Sequence, residues 1–322
     1  MGSEMCIRDR SWDSHALRRK SCFSNMRRPR LSLREQPLPG GQPLAFGIGL
    51  LIALIVGTLL LLGAGHEPLK IYSRMFEASL GDPDAWAVTI NRAIPLGLAG
   101  LAVAVAGSMG LWNIGAEGQI MAGAIGAAWV ARVGDDWPSI VLITMMLIAA
   151  LGGGSVLAIG PALARARFGV NEIITTLMLN EVAIRLVQWL IHGPWKDPDS
   201  YNFPLAPMLP DQARLPTLFS RAHFGLFIAA AVIVMASVAV RYTAWGYELK
   251  IAGSSEATAR YSGISLSKKI LTVLVLSGAI AGLAGGVELT GTADRLTETI
   301  SNCLLYTSDA ADDTPSVDLG RR

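Results

Sequence analysis

Charge is scarce in this chain. Only 16% of its 322 residues are Asp, Glu, Lys or Arg, and 52% are hydrophobic. A soluble domain ordinarily carries about a quarter charged residues, so the deficit excludes one and indicates a polytopic membrane protein. The net charge of +2 is too small to suggest nucleic acid as a partner. Cysteine is nearly missing. Cys6, Cys22 and Cys303 all lie outside the apolar body, which therefore has neither a disulfide framework nor a thiolate metal site. The four histidines, His15, His66, His192 and His223, lack metal-ligand spacing. The chain has no GxxxxGK[ST] segment to cradle ATP phosphates, no GxSxG and no carboxylate pair. The expectation is a chain that is not an enzyme and has no cofactor of its own.

What is present is a series of apolar runs. A bilayer is crossed by ~20 apolar residues in a helix. Runs at 44–63, 93–109, 118–131, 138–164, 172–192, 223–240 and 270–287 predict about seven spans in an all-α transmembrane bundle. Lysine and arginine in short loops set orientation. Seven basic residues between Arg18 and Arg34 place the N-terminus in the cytoplasm, and Arg165, Arg167, Arg241, Lys250, Arg260, Lys268 and Lys269 then fall on the same side. Loops 64–92, 132–137 and 193–222 fall outside. The last is rich in proline, which prevents regular helix. Residues 68–84 predict a short interfacial helix.

The two ends differ from the body. Residues 1–10 and 301–322 match neither its composition nor its periodicity and read as non-native translated sequence. Residues 11–42 form a basic cytoplasmic tail, and 43–300 a truncated transmembrane domain.

Four features stand out in the body. The first is Gly110–Gln119, where Asn113, Glu117 and Gln119 sit among glycines at membrane depth. Such residues are costly there unless they face protein, water or a ligand, and a broken helix with polar groups is how many transporters build a solute site. The second is the start of the fifth run. Asn171, Glu172, Thr176 and Asn180 form a polar stripe that reads either as a lined cavity or as interhelical hydrogen bonds. Glu181 and Arg185, four apart and deeper, predict an intramembrane ion pair; a proton or ion relay is the alternative. The third is the repeat Gly278, Gly282, Gly286 beside Ser277, Ala281, Gly285, which predicts close helix packing. The fourth is Gly253–Gly263, read as a short helix capped by Ser255, favoured by Glu256 and Arg260 and stopped by Gly263, presented as a docking element.

These segments carry a resemblance. Leu111–Gln119, Gly169–Asn180, Gly193–Pro198 and Glu256–Ile264, in this order, resemble the bacterial ABC importer permeases of the nucleoside and simple-sugar type, within the larger ribose and branched-chain amino acid permease family. The resemblance spans roughly residues 40–300. It implies a plasma-membrane subunit that forms the solute pathway with a second permease, in this subgroup often a different one. A cytoplasmic ATPase binds the ATP, and an extracytoplasmic lipoprotein delivers the solute. Asn113, Glu117 and Gln119 would line the pathway, with Asn171, Glu172, Thr176 and Asn180 as further candidates. Gly253, Glu256, Ala257, Arg260, Tyr261 and Gly263 would couple to the ATPase. Trp195, Lys196 and Asp197 would face the lipoprotein. Glu181 stands where the family has an uncharged residue, and the family continues with further spans after residue 300. The alternative reading is an ion-coupled transporter using Glu181.

Overall fold

Apolar runs become helices here because a lipid-exposed backbone must bond to itself. The computed structural model describes residues 41–198, 200, 205–219 and 221–300. The expectations for 1–10, most of 11–42 and 301–322 concern stretches outside them. Helix α1 (Gly41–Gly63) is apolar on every side, and α2 (Pro68–Leu80) is a short amphipathic helix, as the sequence predicts. From residue 69 onward the chain builds a bundle from α3 (Pro83–Gly107), α4 (Ala116–Val133), α5 (Ser139–Phe168), α6 (Glu172–His192), α7 (Gly225–Tyr242) and α10 (Leu266–Glu288). Two shorter helices, α8 (Ala244–Ser254) and α9 (Glu256–Tyr261), lie between α7 and α10.

Among the described residues six helices, not seven, are long and apolar enough to span a membrane. The run at 118–131 is a helix, α4, but is not one of the six. The reason is its composition: Glu117, Gln119 and Arg132 stand among small alanines and glycines in its 18 residues. The chain turns at Gly110, whose φ is +74°, and folds back into the bundle before α4 begins. The first polar turn of α4 meets Asn180 of α6, Ile120 beyond it meets Gly285 of α10, and most of its later residues are buried. A helix shielded by protein does not need a lipid-compatible surface.

Helix α10 is the axis of the packing. Its glycines admit neighbouring backbones at distances no side chain would allow. A Cβ on Gly282 would stand 2.3 Å from Ala150 O in α5, and one on Gly285 would stand 2.0 Å from Ile120 O in α4. From the other side, a Cβ on Gly154 would stand 2.1 Å from Gly278 O. The small-residue repeat is thus a packing seam shared by three helices.

The long loop is tied across one end of this axis. Leu209 N–H donates to Asp294 O at 2.8 Å and Leu215 N–H to Thr290 O at 3.0 Å. A π-helical turn, Leu289–Ala293, closes α10 beneath it. The loop contains a turn of 3-10 helix (Asp211–Ala213) and a strand pair, β1 (Thr217–Phe219) with β2 (Ala222–His223), which its prolines did not suggest. Asn91 of α3 pins the pair, donating to Arg221 O at 2.8 Å and accepting from His223 N–H at 3.4 Å.

His223 is buried at this end, and burial holds its imidazole below the ordinary pKa of 6.5. Gly225 N–H donates to Nδ1 at 3.2 Å, which keeps Nδ1 an acceptor and leaves the ring proton on Nε2, 3.5 Å from Thr292 Oγ1. The unfolded chain takes up a proton near 6.5 that the folded chain refuses. Stability from this residue is therefore complete above that pH and declines as the pH falls below it. The melting temperature in detergent is expected to drop between about pH 7.5 and about pH 5.5, and to drop less in His223→Gln. Equal slopes in the two proteins would show that His223 is not the group responsible.

Candidate functional site

The polar residues of 110–119 and α6 meet in one buried knot. Asn113 Nδ2 donates to Gln119 Oε1 and to Ser277 Oγ, both at 2.7 Å, and Asn113 Oδ1 accepts from Gln119 Nε2 at 3.2 Å. Ser277 Oγ donates onward to Ala102 O at 2.6 Å, which joins α3 and α10 to the turn. Asn180 reaches the same segment from α6. It accepts from Gly118 N–H at 2.9 Å and donates to Ile114 O at 3.0 Å. Helix α4 begins at Gly115 with no side-chain cap of its own, so Asn180 satisfies one of its orphan donors from another helix. Neither Asn180 as a cap nor Ser277 as a knot member was expected from the sequence. The clue to Asn180 was the uncapped glycine start of α4.

The structure brings Asn113, Gln119, Thr176 and Asn180 together, each buried. Close packing meets Thr176 and Asn180 where α6 lies against the start of α4. A Cβ on Gly115 would stand 2.8 Å from Thr176 Cβ, and one on Gly118 would stand 2.8 Å from Asn180 Cα. Thr176 Oγ1 returns to Glu172 O at 2.7 Å. Glu117 is half-buried in the first turn of α4, where its charge suits the helix N-terminus. Asn171 and Glu172 lie apart from the knot. Asn171 caps α6 by accepting from Ile173 N–H at 2.9 Å, and the buried Glu172 pairs with Arg165 of α5 at 3.3 Å.

Glu181 and Arg185 do form the expected intrahelical pair, at 3.7 Å. They face out of the chain rather than into it, with side chains 67% and 72% exposed.

The 253–263 segment folds as the sequence predicts. Ser255 accepts from Thr258 N–H at 3.3 Å to cap α9, and Gly263 stops it at φ +75°. Only Ala259 is buried; Glu256, Ala257, Arg260 and Tyr261 are exposed. Helix α8, which precedes it, was read from the sequence only as loop. It packs through Leu249 and Ala252 and is tied to α10 by a Glu248–Lys269 ion pair. Its C-terminal glycine, Gly253, lies against the turn that follows α3. A Cβ there would stand 2.9 Å from Met109 C. Helix α8, which leads directly into the exposed α9, is thereby seated against the turn that leads into the knot, four residues before Asn113.

At the long-loop end, Arg132 of α4 lies over the Trp195 ring, 5.6 Å from its centroid. Both line a recess of about 230 Å³ with Asp135 and Pro207–Pro210. Lys196 and Asp197 are not among its lining residues.

Residues 87–305 match the family described as the branched-chain amino acid transport system permease component. The chain belongs to that family. It is a multi-pass membrane protein and a transport component. Three relatives are informative. The glucose ABC transporter permease protein TsgB13 of Haloferax volcanii is 38% identical over 78% of this chain and 70% of its own length. The guanosine ABC transporter permease protein NupP of Bacillus subtilis is 31% identical over 76% and 71%. The nucleoside ABC transporter permease protein NupB of Lactococcus lactis is 30% identical over 74% and 68%. No solved structure matches the chain. The membership gives the ion-coupled alternative no support.

Proposed function

We propose that this permease forms the solute pathway of an ABC importer for nucleosides or simple sugars in a bacterial plasma membrane. It works with a second permease, a separate cytoplasmic ATPase and a substrate-binding lipoprotein. The N-terminus and α8–α9 face the cytoplasm, and loop 193–222 faces out. The names of the relatives support the solute class, and the second permease is a different chain, a heterodimer. Trp195, Lys196 and Asp197 lie on the side that receives the lipoprotein.

The observation that carries the mechanism is the seating of Gly253 against Met109. Helix α9 docks on the ATPase through Glu256, Ala257, Arg260 and Tyr261, with Gly253 and Gly263 at its borders. When nucleotide closes the ATPase, α8–α9 moves as one piece and pushes the 109–110 turn. The turn carries Asn113, and the knot of Asn113, Gln119, Thr176 and Asn180 passes the movement to α6 and α10. These four residues position the segment behind the pathway, with Glu117 at its half-exposed edge and Asn171 and Glu172 holding the start of α6. A two-state element biased by nucleotide is the result.

Arg260→Glu tests this. Arg260 is 73% exposed and its pair with Glu256, at 3.7 Å, is a surface pair, so folding is expected to be unaffected. ATP-driven uptake of guanosine or glucose is expected to fall by about tenfold with normal membrane insertion. Unchanged uptake would sink the docking role. Uptake that persists with an ATPase-dead partner but stops with a protonophore would sink the importer reading itself.

A further inference from the structure

Helix α6 carries a run of polar side chains whose lower half, Glu181 and Arg185, is left exposed by the described residues, while Gln188 is half-buried beside Glu298. Glu181 is the tenth of its 21 residues, near the middle of a helix long enough to span a membrane. From there the contacts climb toward the long-loop end. Glu181 Oε2 lies 3.7 Å from Arg185 Nε, and an Arg185 terminal nitrogen donates to Gln188 Oε1 at 3.0 Å. Gln188 Nε2 donates to Glu298 Oε2 at 3.2 Å, and His192 Nδ1, 2.8 Å from Gln188 O, stands 4.0 Å from Glu298 Oε1. The five side chains form a continuous ladder from mid-helix to its end. Trp189, 63% exposed, stands one turn beyond Arg185 on the same face.

Lipid tails are a poor environment for this arrangement. A charged pair held two-thirds exposed at mid-membrane depth is stable only where water or protein reaches it. A ladder that continues unbroken to the membrane surface is the shape of a wetted groove. Resting on the reading of this chain as a pathway-forming permease, we propose that the Glu181–Arg185–Gln188–Glu298–His192 ladder is the solute-contacting wall of the pathway contributed by this chain. It recognises an uncharged, hydroxyl-rich solute. The ladder offers donors and acceptors of both charge signs side by side, which suits hydroxyl groups and repels neither end of them. Trp189 adds an aromatic face for a sugar or base ring. The buried knot sits on the opposite side of α6 and keeps this wall in register.

The test uses the full chain, with Cys6, Cys22 and Cys303 replaced by serine, in membrane vesicles with its partner subunits. Glu181→Cys, Arg185→Cys and Gln188→Cys are labelled with a membrane-impermeant charged thiol reagent. Val156→Cys on α5, exposed at 68%, is the lipid-facing control. The ladder positions are expected to react about tenfold faster than the control, and guanosine or glucose to slow them. Rates equal to the control overturn the proposal. So does disulfide cross-linking of these positions to the second permease without labelling, which marks a dry subunit contact. ATP-driven uptake by the unsubstituted chain in the same vesicles reports separately on the importer reading. Uptake with unlabelled ladder positions removes the ladder alone; absent uptake removes the importer.

Discussion

Gly282→Val is expected to abolish the folded bundle. Gly282 stands where α10 meets both α5 and α4. A Cβ there would lie 2.3 Å from Ala150 O and 2.8 Å from Gly154 Cα. From the α4 side, a Cβ on Gly123 would lie 2.1 Å from Gly282 O. These neighbours are backbone atoms, which cannot swing aside as a flexible side chain would. The helices must separate along the seam, and each flanking glycine contact opens with them. Overpacking an ordinary core costs about 1–3 kcal/mol, and a clash with two backbones exceeds that range. The protein is expected to lose its monodisperse peak in detergent size-exclusion chromatography and its resistance to protease. Gly152→Ala, in the neighbouring turn of α5, is the matched control, because nothing stands within 4 Å of its Cβ. A monodisperse Gly282→Val protein melting within a few degrees of the parent would contradict the seam.

Asn113→Leu is expected to end uptake while leaving part of the chain folded. The two side chains are similar in size, so the change removes hydrogen bonds more than volume. Gln119 loses both bonds it makes with Asn113, and Ser277 loses the donor at 2.7 Å. Gln119 and Ser277 are buried, so water does not replace what is lost. Each buried polar group left unpaired costs about 1–3 kcal/mol. Removing both partners at once is milder than removing one. The double change Asn113→Leu with Gln119→Leu is therefore expected to recover much of the melting temperature and none of the uptake. Recovery of both would make the knot structural only; recovery of neither would mean the cost lies in packing.

Much of this organisation is legible in the residues, and the exceptions share a physical cause. The four-residue rhythm of glycine in α10 announces close packing, since no other residue permits it. The Ser255 cap and the Gly263 stop are local chemistry, and both appear as read. What pattern alone missed depends on neighbours. Helix α4 looks like a span by its apolar run, yet its covering by α5, α6 and α10 is a property of the fold. The polar stripe of α6 left cavity lining and interhelical bonding open. For Asn180 the bonds are interhelical, to Ile114 and Gly118; Thr176 instead bonds within its own helix, to Glu172 O. The Glu181–Arg185 spacing predicts the pair but not its direction, because both faces of an i, i+4 ladder have the same period. Helix α8 escaped notice because its eleven residues mix aromatic, charged and glycine positions without a clear rhythm.

The seam has a consequence for signalling across the membrane. Backbones in direct contact have no rotamers to absorb a push, so α10 with its two neighbours behaves as a stiff rod rather than a spring. One end of the rod is gripped at Lys269 by α8. The other is bonded at Thr290 and Asp294 to the long loop. A tilt imposed at either end is passed along the seam toward the other. The influence must run both ways: whatever arrests the long loop changes how readily α8 and α9 engage anything bound to them, by the same factor as the reverse. On the proposed importer reading, a loaded binding protein would then register at the ATPase without the solute having moved.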